Sequence, residues 1–134
     1  MSDEIVVDAS ALVDALLRDD AAGVALAKRI SESVCHSPHL IDAEVGSVLR
    51  RAERKGLISE RTALTCMRLL KLLVDERYAH HDWLSVEAWK LRHSVTFYDG
   101  LYVALAARLG IPLLTRDAKL GNAPGLPCVV ELIE

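Results

Sequence analysis

Cysteine is scarce in this chain: Cys35, Cys66 and Cys128 are its only three thiols, far apart and without a CxxC pair. An odd, widely spaced set excludes a disulfide framework and a zinc knuckle, and leaves the thiols as small core residues. No run is apolar for long enough to span a bilayer as a helix, so no membrane role is expected. The opening MSDE is acidic where a secretory signal is positively charged, which points to the cytoplasm. There is no Walker-type or dinucleotide glycine loop. Positive charge is not in excess either: 16 Lys and Arg against 19 Asp and Glu leave a net charge of -3. A role with nucleic acid would therefore rest on a local basic patch or on bound cations. With neither repeat nor linker, the 134 residues are expected to form one domain, 1–134.

What is present reads as an ordinary globular chain, with 51% hydrophobic and 26% charged residues. Ile5 to Asp8 forms a strand followed by a helix. An amphipathic helix near Ala21 to Ser31 precedes a short strand around Val34. SPHLIDAEVGSVLRRAERKG predicts a helix with Ser37 as N-cap, Pro38 at its first position and Gly56 as its stop. SERTALTCMRLLKLLVDE starts another at Ser59, VEAWKLRHS a shorter one, and TFYDGLYVALAARLG runs from a Thr96 cap to a Gly110 stop. IPLLT and CVVELI are strands around the turn-rich GNAPGLP. Alternation of strands with helices predicts an α/β fold with parallel pairing. The helix from Ser59 carries apolar residues almost all round, including Leu64, Met67, Leu69 and Leu72, so either it lies deep in the core or a second face is covered by a second copy or a partner, and the short chain favours an interface.

Four acids stand where acids are expensive. Asp8 closes the apolar run IVVD and Asp117 follows LLT, so both lie at strand carboxyl ends, where open parallel sheets bind ligands. Glu44 sits beside the apolar stripe of its helix, and Asp99 shares a face with Tyr102, Val103 and Ala106. Each also has a plain explanation: Asp8 and Asp117 as helix caps, Asp99 as a partner of a helix dipole, Glu44 as a solvated shoulder residue. Their joint placement on otherwise buried elements favours one shared site. Two unit charges about 4 Å apart repel by roughly 4 kcal/mol at an effective dielectric near 20, so such a cluster needs protons or cations. Oxygen-only donors favour Mg²⁺ first and Mn²⁺ second.

VVDAS with Asp8, AEVGSVLRR with Glu44, TFYDGLYVALA with Asp99 and LLTRD with Asp117 together resemble the PIN-domain nucleases, in particular the VapC-type toxins of toxin-antitoxin pairs. The resemblance covers nearly the whole chain and lies in the order and context of the four segments. It implies a three-layer α/β/α fold with a short central parallel sheet, and endonucleolytic cleavage of RNA with Mg²⁺ or Mn²⁺. It also implies a homodimer and a cognate antitoxin. Asp8, Glu44, Asp99 and Asp117 would then be the catalytic and metal-binding acids, with Ser10 and Thr115 as small hydroxyls beside them. Ser47 stands where many relatives carry asparagine, and Gly100 where alanine is common.

Arg50, Arg51, Arg54 and Lys55, on the helix of Glu44, form the densest basic cluster and are the candidate RNA track; Lys90, Arg92 and Arg116 are weaker candidates. Cys35, His36 and His39 lack the fourth ligand of a structural zinc site. His80 and His81 read as loop or surface residues, Asp14 and Asp42 as solvated or outer-shell acids, and Trp83 and Trp89 as core anchors. Two rivals remain. A Mg²⁺-binding, receiver-like phosphoacceptor domain would need an acid pair after the first strand and its acceptor at the end of a middle strand. A PIN-like partner-binding protein with a silent site would not need all four acids.

Overall fold

The structure is a computed structural model that describes residues 3–134. Five strands, β1 (Glu4–Val7), β2 (Val34–Pro38), β3 (Glu76–Tyr78), β4 (Leu113–Thr115) and β5 (Val130–Leu132), form one sheet in the order β3-β2-β1-β4-β5. All four pairings are parallel. Seven helices connect them: α1 (Ala9–Leu17), α2 (Ala21–Glu32), α3 (Leu40–Arg54), α4 (Glu60–Leu73), α5 (Trp83–Trp89), α6 (Phe97–Leu109) and α7 (Ala118–Gly121).

Parallel strands need crossovers, and crossover helices cover the sheet. The consequence is seen in β1, whose Ile5, Val6 and Val7 are all buried. Helix α6 packs across β1, β2 and β4 with α5 against it, while α1 docks on β4, α3 on β2, and α1 and α3 on each other. These are the helix, sheet and helix layers expected. Residues Gly100 to Ala106 of α6 are buried without interruption. Its ends follow the sequence signals: Thr96 accepts a hydrogen bond from the Asp99 N–H, and Gly110 closes the helix at φ 68°, in the left-handed region that glycine enters without strain. Gly100 is buried against α5, where an added Cβ would lie 3.1 Å from the Ala88 carbonyl oxygen. That contact accounts for glycine at a position where alanine would favour the helix.

Several expectations are corrected. Ser37 and Pro38 do not open a helix: both are buried in β2, and the Ser37 hydroxyl donates to the Val7 carbonyl at 2.7 Å. Helix α3 begins instead at Leu40, whose N–H donates to His80 Nε2 at 3.0 Å. His80 is thus a half-buried cap rather than a free surface residue. The segment VEAWKLRHS is helical only up to Trp89, and the helix starts earlier, at Trp83. Trp89 is not a core anchor: it is 58% exposed, with the Arg92 guanidinium 4.8 Å from its ring centre. Trp83 is half-buried against the core, and so is Cys128, while Cys35 and Cys66 are buried. Asp14 is not solvated; its side chain is 14% exposed and pairs with Arg116 at 3.0 Å. Strand β3 had no signal in ERY. Among the described residues, no helix is long and apolar enough to cross a membrane.

Candidate active site

Strand order reverses between β1 and β4. The chain leaves β1 for β2 and β3 on one side, then returns to β4 and β5 on the other. Helices diverge at such a point and open a crevice beyond the carboxyl ends of the two strands. Val7 pairs with Leu114, so Asp8 and Thr115 meet one step further on, at the mouth of that crevice.

Asp8 is 8% exposed and begins α1. Its Oδ1 accepts from the Ala11 N–H at 3.0 Å and from the Ser10 hydroxyl at 2.6 Å, and its Oδ2 accepts from the Thr115 hydroxyl. Each hydroxyl also accepts a backbone donor from the β4 end: Arg116 N–H to Ser10 at 2.9 Å, and Asp117 N–H to Thr115 at 3.0 Å. Ser10 and Thr115 thus fasten the end of β1 to the end of β4 through one carboxylate. Asp117 is exposed and caps α7, accepting from the Lys119 N–H at 2.9 Å. The plain reading of both aspartates as caps is therefore correct, and it coexists with their facing one another.

The remaining two acids come from helices. Asp99 lies in the first turn of α6. Glu44 lies in the second turn of α3 and accepts from the Tyr102 hydroxyl at 2.6 Å. Tyr102 is itself 1% exposed, so α6 contributes both an acid and the donor that orients the acid of α3.

Burial and neighbouring charge act together on three of the four acids. Burial raises the pKa of Asp8 most, with Asp117 adding to it, while its three hydrogen bonds pull the other way. Burial also raises Glu44, followed by the Asp99 and Asp8 charges against the Tyr102 bond. Asp99 is raised by burial and then by Asp117 and Asp8. Burial and Glu44 push the Tyr102 phenol far up, so it stays a donor at any ordinary pH. Asp8, Glu44 and Asp99 thus each feel at least one other acid. Among the described residues, no group of three or more His, Cys, Asp or Glu side chains stands close enough together to hold a metal ion. The acids around this notch offer only oxygen donors, the donor chemistry that a hard divalent cation takes.

Two hollows flank this notch. One, of about 360 Å³, is lined by Glu44, Ser47, Arg51 and Tyr98 among others. The other, of about 350 Å³, is lined by Arg92, His93, Thr96, Asp99 and Lys119 among others. Ser47 therefore sits beside Glu44, yet its hydroxyl makes no hydrogen bond among the described residues. All four residues of the basic cluster are exposed; Arg51 lines the hollow beside Glu44, Arg50 adjoins it, and Arg54 and Lys55 stand at the end of α3. Arg116 is held by Asp14 and Lys90 by Glu87. The sequence reading missed Lys119 and the bond from Tyr102 to Glu44. A tyrosine three residues after an acid, on a helix with no polar face, was the available signal.

The PIN domain family matches residues 5–126. Ribonuclease VapC1 of Mycobacterium tuberculosis is 51% identical over 131 residues, covering 98% of each chain. Ribonuclease VapC12 of the same organism is 36% identical over 129 residues, covering 96% of this chain and 98% of its own. Among solved structures, PAE2754 from Pyrobaculum aerophilum superposes with a TM-score of 0.69 at 23% identity, covering 96% of this chain and 83% of that one. VapBC2 from Rickettsia felis, bound to a DNA fragment from its promoter, superposes at 0.72 and 10% identity, covering 98% and 99%. At such low identities these structures speak for the fold, and none favours the receiver-like reading. Matching sequence over nearly its whole length, and carrying its acids at the switch point of a parallel sheet, the chain belongs to the PIN-domain family, among the VapC-type ribonuclease toxins of toxin-antitoxin systems.

Proposed function

We propose that this protein hydrolyses RNA phosphodiester bonds endonucleolytically with a divalent cation, Mg²⁺ before Mn²⁺, held by Asp8, Glu44, Asp99 and Asp117. One observation carries the reading. Asp8, Glu44 and Asp99, from three separate elements, each have their charge resisted by burial and by at least one neighbouring acid, Asp117 being one of these for Asp8 and Asp99. When bound, the cation supplies an activated water and charge neutralisation at the scissile phosphate. The chain's residues do the positioning. Ser10 and Thr115 fix both oxygens of Asp8, and Tyr102 fixes one oxygen of Glu44. Arg51, with Arg50 beside it and Arg54 and Lys55 at the end of α3, draws flanking phosphates towards the notch.

The named relatives support a cognate antitoxin as partner, since VapBC2 was solved as a complex. The exposed apolar face of α4, with Leu64, Met67, Leu69 and Leu72 between 43% and 75% exposed, supports a homodimer. Cytoplasmic action follows from an RNA substrate. The test is cleavage of a defined panel of tRNA, ribosomal RNA and mRNA with Mg²⁺ or Mn²⁺, beside Asp99→Asn. The wild type is expected to cut, the variant to fail, and excess EDTA to stop the reaction. Cleavage undiminished in EDTA rejects the metal-dependent reading.

A further inference from the structure

We propose that the two hollows beside the acid notch are unlike subsites for the nucleotides on either side of the scissile bond of a single-stranded RNA. Tyr98 stacks a base in one, while Arg92 and Lys119 hold a phosphate in the other. The inference rests on the nuclease reading above and adds to it the residues that receive the nucleotides on either side of the scissile bond.

The two hollows differ in chemistry. In the first, Tyr98 is 58% exposed beside Glu44 and Arg51, an aromatic face that the fold leaves uncovered at the start of α6. A base stacks on such a face whatever its identity, provided it is free of a duplex, where bases already stack on each other. The second hollow has no Phe, Tyr or Trp among its lining residues and carries the cations Arg92 and Lys119 beside the His93 imidazole. Four carboxylates are close by, yet among the described residues neither Arg51, Arg92 nor Lys119 takes part in an ion pair.

Arg92 is also held in place. It lies over the Trp89 ring and donates to the Trp89 carbonyl at 3.1 Å, so its fork is ordered before any ligand arrives. Lys119 is tied by its backbone N–H to Asp117, one of the four acids. Each hollow, at about 350 and 360 Å³, is near the lower end of small-ligand pockets, the scale of one nucleotide rather than a helix. A strand crossing the notch therefore meets an aromatic platform on one side and two cations on the other.

The test is equilibrium binding of a fluorescein-labelled single-stranded RNA of about 12 nucleotides, with its duplex as comparison. Binding is measured in Mg²⁺ in an Asp117→Asn background to slow turnover, and the RNA is checked on gels for integrity. Tyr98→Ala is expected to weaken single-strand binding by about fivefold or more, with Tyr98→Phe close to the parent and duplex binding unaffected. Arg92→Ala and Lys119→Ala should each flatten the slope of log affinity against log salt by about 0.7, a slope that Tyr98→Ala leaves alone. The proposal is overturned if Tyr98→Ala binds like the parent, if Phe is as weak as Ala, or if the duplex loses as much as the single strand. A loss explained by a changed oligomeric state overturns it equally. Should the wild type cut no RNA while this binding pattern holds, the nuclease reading falls and the subsites stand; cleavage with a silent Tyr98→Ala gives the reverse.

Discussion

The buried phenol of Tyr102 donates to Glu44 Oε1 at 2.6 Å, joining α6 to α3 across the mouth of the crevice. Glu44 is otherwise held only by its own rotamer freedom, so this bond decides where its second oxygen points. Tyr102→Phe keeps the packing and removes the donor. Its expected effect is a loss of about 10- to 100-fold in Mn²⁺ affinity or turnover, with stability lowered by only about 1 kcal/mol. Calorimetric titration with Mn²⁺, run beside the cleavage assay, reads the first directly. Unchanged affinity would show that Glu44 needs no orienting partner.

Thr115 has a different task. Its hydroxyl gives its proton to Asp8 and takes one from the Asp117 N–H, at a residue with no exposed surface. Thr115→Val is close in shape but strands a buried carboxylate oxygen and a backbone donor together. A loss of about 2 kcal/mol in urea unfolding is expected, together with loss of cleavage. Thr115→Ser restores the hydroxyl and is expected to recover most of both. If Val and Ser behave alike, packing rather than the hydrogen bonds matters at this position.

Local signals located the elements whose ends are made locally. Ser59 and Thr96 cap α4 and α6 through their own side chains, and Gly110 ends α6 as its backbone preference dictates. The same signals failed at Ser37 and Pro38, where pairing with β3 overrides a cap-and-proline pattern. His36 to Pro38 pair with β3, and the cap of α3 comes from His80, 40 residues away. His36 follows the same logic: its ring is satisfied by Tyr78 and Glu4, neighbours only in the folded sheet. Asp8, Glu44 and Asp99 stood out because each is a carboxylate on an otherwise buried element, an anomaly visible residue by residue, whereas Asp117 is exposed as an ordinary cap. Tyr102 was not, because a tyrosine in an apolar helix looks like core until its partner is known.

The pKa shifts imply a pH dependence with a definite sign. Asp8, Glu44 and Asp99 titrate higher in the folded chain than in the unfolded one, so the folded state binds more protons. Their contribution is therefore fully favourable below about pH 4 and is lost as pH rises through their folded values. His80 acts in the opposite sense: burial and His39 lower its pKa, and protonation below about pH 6.5 favours unfolding. Asp99→Asn separates the two. In EDTA the variant should melt higher than the wild type, by about 3 °C for each kcal/mol of repulsion relieved, and by more at pH 8 than at pH 5. Mn²⁺ should raise the midpoint of the wild type more than that of the variant. A variant that gains nothing at pH 8, or equal stabilisation of both proteins by Mn²⁺, would mean that the acids do not strain one another.

Helix α4 carries the prediction about assembly. Ala63, Cys66 and Leu70 form its buried face, while Leu64 and Met67 are each 44% exposed and Leu72 is 75% exposed. A lone chain gains nothing from an apolar second face, whereas two copies that bury it exclude water from both; a stable dimer needs about 1,200–2,000 Å² in all. Leu72→Glu would place a charge in that interface without touching the core. It is expected to convert a dimer to monomers in sedimentation velocity, and to remove any dependence of the melting temperature on protein concentration. Val24→Glu is the control, because Val24 is 60% exposed on α2, away from this face. If the wild type sediments as a monomer at concentrations near 100 μM, weaker than any interface of that size is expected to be, then the face serves another partner. The antitoxin is the first to try, and Leu72→Glu should then weaken its binding while leaving RNA cleavage intact.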